Sequence, residues 1–297
     1  MLTTSEGPPA STTMIRIGPA GWSYKDWEGI VYPTNVRRFD PLSYLAHYFD
    51  TIEINSSFYR VPPESHALSW ARRVAENDDF RFTIKLFRDF THTNEPPRGE
   101  DVDAFRKFLD RLDDKKRLGA LLIQFPWSFK ASEESLERLE RLLKEFEAYP
   151  KAVEVRHGSF ATDRFVRFLD EHDTAFVNID QPIFGDSIEP SSHVIGPVGY
   201  VRLHGRNYEK WFAHEESWER YDYLYTRDQL SPWVERVRTM AAEKDVYAVT
   251  NNHFRGQAIV NALDMRSALG MKVEVPPTLA DAYGERARFP TEFRNGA

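Results

Sequence analysis

Short runs in which apolar residues alternate with charged or amide ones recur along the chain. Ile52 and Ile54 flank Glu53; Ile84 and Leu86 flank Lys85; Ile123 and Phe125 flank Gln124. Val153 and Val155 enclose Glu154, with Arg156 following on the same face, and Val201 and Leu203 alternate with Arg202 and His204. Val177 and Ile179 alternate in the same way with Asn178 and Asp180. Successive side chains of a strand point to opposite faces, so each run has one apolar face and one that carries charge. A strand buried on both faces has no use for that charge, because burying it costs free energy unless it is paired or used.

The residue types define a chemistry. Glu53, Glu154, Asp180 and His204 are acid or base groups, with Glu154 or Asp180 as the base and His204 as a proton shuttle. Lys85, Arg156, Arg202 and the nearby Arg206 can hold a phosphate or carboxylate. His92, His157 and His253 fall just past three of the runs, where they suit proton transfer or polar contact. Asn252 lies in the segment Asn251 to Gly256, which leads from the last run into a helix whose free N–H groups could hold an anion. Glu154, Asp180 and His204 are also ligand types that a divalent ion accepts, but Arg156 and Arg202 share their register and would repel a cation. No cofactor is therefore expected, with a divalent metal as the rival. The competing explanation for any one of these residues is a structural ion pair inside the core.

The elements that position these groups repeat in order. Strands are expected at about 14–18, 51–55, 80–86, 120–125, 151–160, 175–180, 199–205 and 245–252. Helical periodicity separates most of them. Asp40 followed by Pro41 is an N-cap with proline at the first helical position, and Ser132 caps a helix with Leu136, Leu139, Leu142, Leu143 and Phe146 on one stripe. Ser231 and Pro232 read as the start of the helix before the last strand. The segment 206–230 carries seven aromatic residues, and a connection of that length calls for a lid or a binding role.

Eight strands mostly separated by helices, without a dinucleotide-binding glycine motif, predict an α/β fold: a single (β/α)8 TIM-type barrel over residues 14–275. Residues 1–13 read as a loose arm and 276–297 as a tail. The charged faces then converge on the carboxyl ends of the strands, where barrel enzymes keep their chemistry.

The 297-residue chain is 41% hydrophobic and 14% aromatic, has a net charge of −7, and contains no cysteine. The acidic balance disfavours a general nucleic-acid binder. The lack of cysteine removes thiol nucleophiles, disulfides and cysteine-bound metals. With no long apolar run and no charged-then-apolar leader at Met1, a soluble, cytoplasmic protein without a membrane partner is expected.

Taken together, Gly21-Trp22-Ser23-Tyr24, Glu53 to Tyr59, Lys85 with Thr91-His92, Glu154-Val155-Arg156-His157, Tyr200 to Gly205, and Asn251-Asn252-His253 with Gly256 and Ala258 closely resemble the YecE-like family, domain of unknown function 72. The resemblance spans about Ile15 to Leu269 and implies a TIM-type barrel. It supplies no activity; the loop aromatics could equally be packing or stack on a sugar or base ring, and Trp22 and Tyr59 are counted in the ligand-binding set. The residues themselves point to an enzyme that binds a small anionic or phosphate-bearing ligand, such as a sugar phosphate or nucleotide, and works by acid–base chemistry. A metal-dependent phosphoesterase or isomerase is the first alternative. A barrel that only binds a ligand or nucleic acid is the second.

Overall fold

The computed structural model of the chain describes residues 13–216 and 218–289. Eight parallel strands follow one another around a TIM-type barrel: β1 (Ile15–Pro19), β2 (Thr51–Ile54), β3 (Arg81–Lys85), β4 (Leu118–Gln124), β5 (Lys151–Glu154), β6 (Thr174–Asp180), β7 (Gly199–Leu203) and β8 (Val246–Thr250). Continuous ladders join β1 to β8 and run from there through β7 back to β2. The remaining seam, β1 to β2, is closed by the single bridge Ala20–Glu53 and by Gly21 N–H donating to the Glu53 carbonyl at 2.8 Å. Gly18 marks how closely the backbones approach there. A Cβ at that position would lie 1.9 Å from the Thr51 carbonyl oxygen, so the seam admits no side chain.

The outer layer is helical: α1 (Pro41–Tyr48), α2 (Glu64–Arg73), α3 (Gly99–Asp114), α4 (Glu133–Glu145), α5 (Asp163–Glu171), α6 (Arg227–Ala241), α7 (Gln257–Ala268) and α8 (Pro277–Tyr283). The expected caps are present. The Asp40 carboxylate accepts from Leu42 N–H at 3.1 Å, and Ser132 Oγ accepts from Ser135 N–H at 3.1 Å. Each satisfies helix donors that would otherwise be orphaned. Leu139, Leu142 and Leu143 of α4 bury their stripe against the sheet.

Two features differ from the sequence expectations. The helix before β8 starts at Arg227 and not at Ser231, because Thr226 and Gln229 form a reciprocal capping box and Pro232 falls inside the helix. Residues 277–289 are not a tail. Pro277 is the first residue of α8, Leu279 is fully buried, and Thr278 Oγ1 donates to the Val31 carbonyl at 2.7 Å. The β6–β7 connection, residues 181–198, contains no α-helix, in keeping with the absence of helical periodicity there. The expected arm, apart from Thr13, and the tail from residue 290 onward lie outside the described residues.

Candidate functional site

In a barrel, neighbouring paired residues share a face, so the ladder registers show which side chains point inward. Glu53 pairs with Thr83, Lys85 with Leu122, Gln124 with Glu154, and Arg202 with Val249. These residues line the interior. At the carboxyl end the inward carboxylates and guanidinium groups form a lattice across the barrel. Arg202 of β7 donates through Nε to Glu53 Oε2 at 2.9 Å and through Nη2 to Glu53 Oε1 at 2.6 Å, and its Nη1 donates to Glu154 Oε2. Arg156, two residues past β5, donates through Nε to Glu154 Oε1 at 2.9 Å. Tyr200 adds its hydroxyl to Glu53 at 3.1 Å. Glu53, Glu154 and Arg202 are almost completely inaccessible to solvent.

Burial would by itself raise the Glu154 carboxyl, but the charges of Arg202 and Arg156, with a hydrogen bond from His204, outweigh it and hold the group well below the usual carboxylate range. Burial likewise disfavours the Arg202 cation, and Glu154 and Glu53 reverse the effect and hold it protonated. His204 Nε2 is 3.2 Å from Glu154 Oε1, and its Nδ1 is 3.0 Å from Asn251 Nδ2. Burial, reinforced by Arg156 and Arg202 against the pull of Glu154, lowers this imidazole to about 3, so it is neutral at physiological pH. With both ring nitrogens engaged, His204 is a fixed spacer between Glu154 and Asn251.

Above the lattice opens a cavity of about 450 Å³. Lys85 and Arg202 reach it from the barrel, Trp22, Tyr24, Asn55, Phe58 and Tyr59 from the first two loops, and Tyr221, Asn251 and His253 from the last two. Lys85 stands apart from the other interior charges. Among the described residues its Nζ has no hydrogen bond or ion pair; it lies 3.9 Å from the centre of the Phe58 ring. Burial first, then repulsion by Arg202 and Arg156, lowers its amine from the usual 10.5 to about 7, against the pull of Glu154 and Glu53. His253 stacks on Tyr24 with 4.4 Å between ring centres, and burial lowers it to about 4. Its Nδ1 and the Asn55 Oδ1 are buried without a hydrogen-bond partner among the described residues, and both residues line the cavity.

The expected residues thus divide into groups. Lys85, Arg202, His253, Trp22 and Tyr59 line the cavity, and Glu53, Glu154, Arg156 and His204 form the lattice beneath and beside it. His92 and His157 belong to the rim. His92 meets Phe58 edge to face and lines a neighbouring groove, whereas His157 caps the turn Gly158–Phe160 by accepting from Ser159 N–H at 3.1 Å. The expected fifth strand is correspondingly shorter than 151–160, ending at Glu154.

Asp180, Asn252 and Arg206 are corrections: they lie on the other side of the sheet. On β6 the inward residues are Val177 and Ile179, paired with Tyr200 and Arg202, so Asn178 and Asp180 face outward. Asp180 accepts from Arg206 at 2.8 and 2.7 Å, from the Tyr225 hydroxyl at 2.7 Å and from Trp233 Nε1 at 2.7 Å. No helix follows β6 to cover this face, and these polar groups fasten the long β7 loop and α6 to it instead. Asn252 bonds to Asn261 Oδ1 and the Tyr223 carbonyl in the outer layer, and its neighbour Asn251 is the inward residue. Glu154, Asp180 and His204 are therefore not assembled into a set of metal ligands. The anion position before α7 is occupied from within the chain, since Arg255 N–H donates to Asp26 Oδ2 at 2.6 Å. Asn55, Phe58, Tyr221 and Asn251 also line the cavity although none was named as a site residue. Asn55 shares the face of Glu53 in the expected strand, and Tyr221 and Asn251 fall in segments expected to bind.

Residues 16–283 match the family model described as a protein of unknown function, DUF72. The chain belongs to this family. Among curated relatives it is 26% identical over 277 residues to UPF0759 protein YunF of Bacillus subtilis (87% of this chain, 96% of the relative). It is 29% identical over 149 residues to UPF0759 protein YecE of Escherichia coli K12, half of each chain. A solved DUF72 family protein from Thermotoga maritima superposes with a TM-score of 0.76 at 33% identity, covering 86% of this chain and 99% of the other. A family member from Enterococcus faecalis superposes with a TM-score of 0.77 at 26% identity, covering 89% and 98%. The seam residues Gly21 and Glu53, the lattice and the cavity lining all lie inside the matched region. No helix among the described residues is long and apolar enough to cross a membrane.

Proposed function

We propose that this DUF72 barrel is an enzyme that takes a small ligand bearing an anionic group into the cavity above the lattice, where Lys85 meets the negative charge and exchanges protons. One observation carries the reading: every other charge at this end of the interior is already paired, and Lys85 Nζ is not. Glu53, Glu154, Arg156 and Arg202 balance one another, so a bound anion would find one cationic amine and no uncompensated carboxylate. Glu154, held ionised by two arginines, is a poor proton acceptor near neutral pH, and the acid–base role passes to Lys85. The aromatic rings of Trp22 and Tyr59 suit a ring at the ligand's other end, as in a sugar phosphate or nucleotide.

The test is binding of phosphorylated sugars and nucleotides by thermal shift and calorimetry, with Lys85→Met as comparison. Loss of a charge-assisted contact of about 1.5–3 kcal/mol corresponds to roughly 10- to 150-fold weaker binding. Affinity should also fall as pH rises beyond about 7, where the free amine loses its proton. Equal affinity of wild type and variant for every anion that binds would overturn the reading.

A further inference from the structure

We propose that Lys85 bonds covalently, as an imine, to a carbonyl carbon of the substrate, so that the ligand class is a small aldehyde or ketone carrying an anionic group. The inference rests on the reading of Lys85 as the group that meets the ligand, and adds a reaction to it.

An imine-forming lysine must present a neutral, unblocked amine to an enclosed space with room for an oxo compound. Lys85 meets each requirement. It is the last residue of β3, at the carboxyl end of the barrel, and it opens into the 450 Å³ cavity. Among the described residues no carboxylate holds its Nζ. Glu53 and Glu154, the acidic residues whose charges reach it, are occupied by Arg202 and Arg156. The Phe58 ring covers one side of the amine. The charged groups around it are Glu53 from β2, Glu154 and Arg156 from β5, Arg202 from β7 and the neutral His92 past β3. Burial and the two arginines bring the amine to about 7, so that half of it is neutral near physiological pH.

The step balances with no redox partner. The Nζ lone pair attacks the carbonyl carbon, the C–N bond forms, and the carbonyl π pair moves to oxygen, which takes a proton. Both amine hydrogens leave with that oxygen as one water, and a proton regained from solvent makes the imine cationic. The cationic nitrogen withdraws electrons through the imine carbon and acidifies a C–H on the carbon next to it, in those substrates that carry one, and that proton passes to water in the cavity. Hydrolysis reverses the sequence and returns the free amine.

Borohydride reduction tests this on the full chain, with glyoxylate, dihydroxyacetone phosphate and ribose 5-phosphate as carbonyl probes near pH 7.5. Peptide mapping should place one reduced adduct on Lys85, formed at least roughly tenfold faster than on any exposed lysine, because its neutral fraction is larger by on the order of a thousandfold. Lys85→Met should abolish that adduct. Lys85→Arg should abolish it too while retaining affinity for the phosphate-bearing probes, which separates imine chemistry from charge binding. No adduct on Lys85, or labelling no faster than on surface lysines, overturns the imine; phosphate binding that still depends on Lys85 would then leave the binding reading standing. Loss of both signals in the wild type removes both.

Discussion

Glu154 and Asp180 end adjacent strands of one barrel, are both buried and are both gripped by arginine, yet they belong to different machines. Glu154 looks inward, and its partner Arg202, 48 residues away, is shared with Glu53, which is 149 residues from that arginine. Asp180 looks outward and collects Arg206, Tyr225 and Trp233, which follow it by 26, 45 and 53 residues. The inner cluster spans the barrel and leaves one amine free beside a cavity. The outer one uses every donor to pin a loop and a helix. A buried charge at a strand end therefore indicates chemistry only once its face is known, and the free neighbour is more informative than the paired one.

The comparison can be broken in order of severity. Arg202→Met leaves Glu53 and Glu154 buried without their shared cation, and a loss of about 3–5 kcal/mol is expected in urea unfolding. A loss near zero would show that the lattice relaxes into water and is not a rigid floor. Asp180→Ala leaves Trp233 Nε1–H and the Tyr225 O–H without an acceptor and should cost roughly 2–6 kcal/mol at 1–3 kcal/mol for each buried unpaired group. Affinity of the remaining folded protein for an anion should stay within about threefold, as expected for separated sites. If affinity falls in parallel with stability, the two faces are coupled and the division drawn above is wrong.

The smallest effect is one of slope. Glu154 titrates well below the usual 4.5 in the folded protein, so its contribution is fully present above that value and is lost as pH falls below it through the folded value. Glu154→Gln should be less stable than wild type at neutral pH and lose less stability on acidification between about pH 5 and 3, as read from denaturant midpoints. Parallel acid limbs would place the titrating groups elsewhere.

Most of the barrel was legible because alternation and helical stripes are local. Asp40-Pro41 and Ser132 announced their helices, and Glu53, Lys85, Gln124, Glu154 and Arg202 declared their faces against unmistakably apolar neighbours. Parity failed at β6, where both faces could pass for an interior: Val177 and Ile179 fill the barrel, while Asn178 bonds Ser191 and His193 in a connection that has no helix to bury. The same one-residue slip exchanged Asn252 for Asn251. The capping box from Thr226 to Gln229 was written in the sequence, but the Ser231-Pro232 pair obscured it. The distinction that matters most for the site, that Lys85 is unpaired while Arg202 and Arg156 are not, depends on which side chains meet across the barrel. No local pattern encodes that.

The seam between β1 and β2 gives the cavity a mechanical meaning. Gly21, Trp22 and Tyr24 come from its β1 side and Asn55, Phe58 and Tyr59 from its β2 side, so the mouth straddles the one place where the ring lacks a continuous ladder among the described residues. Glu53 works on both sides of this arrangement, its backbone zipping the seam and its carboxylate anchoring Arg202. On the proposed function, a molecule seated in the mouth would clasp that join. Occupancy and unzipping then oppose each other, and slowed amide exchange along β1 becomes a label-free gauge of whether the cavity is filled.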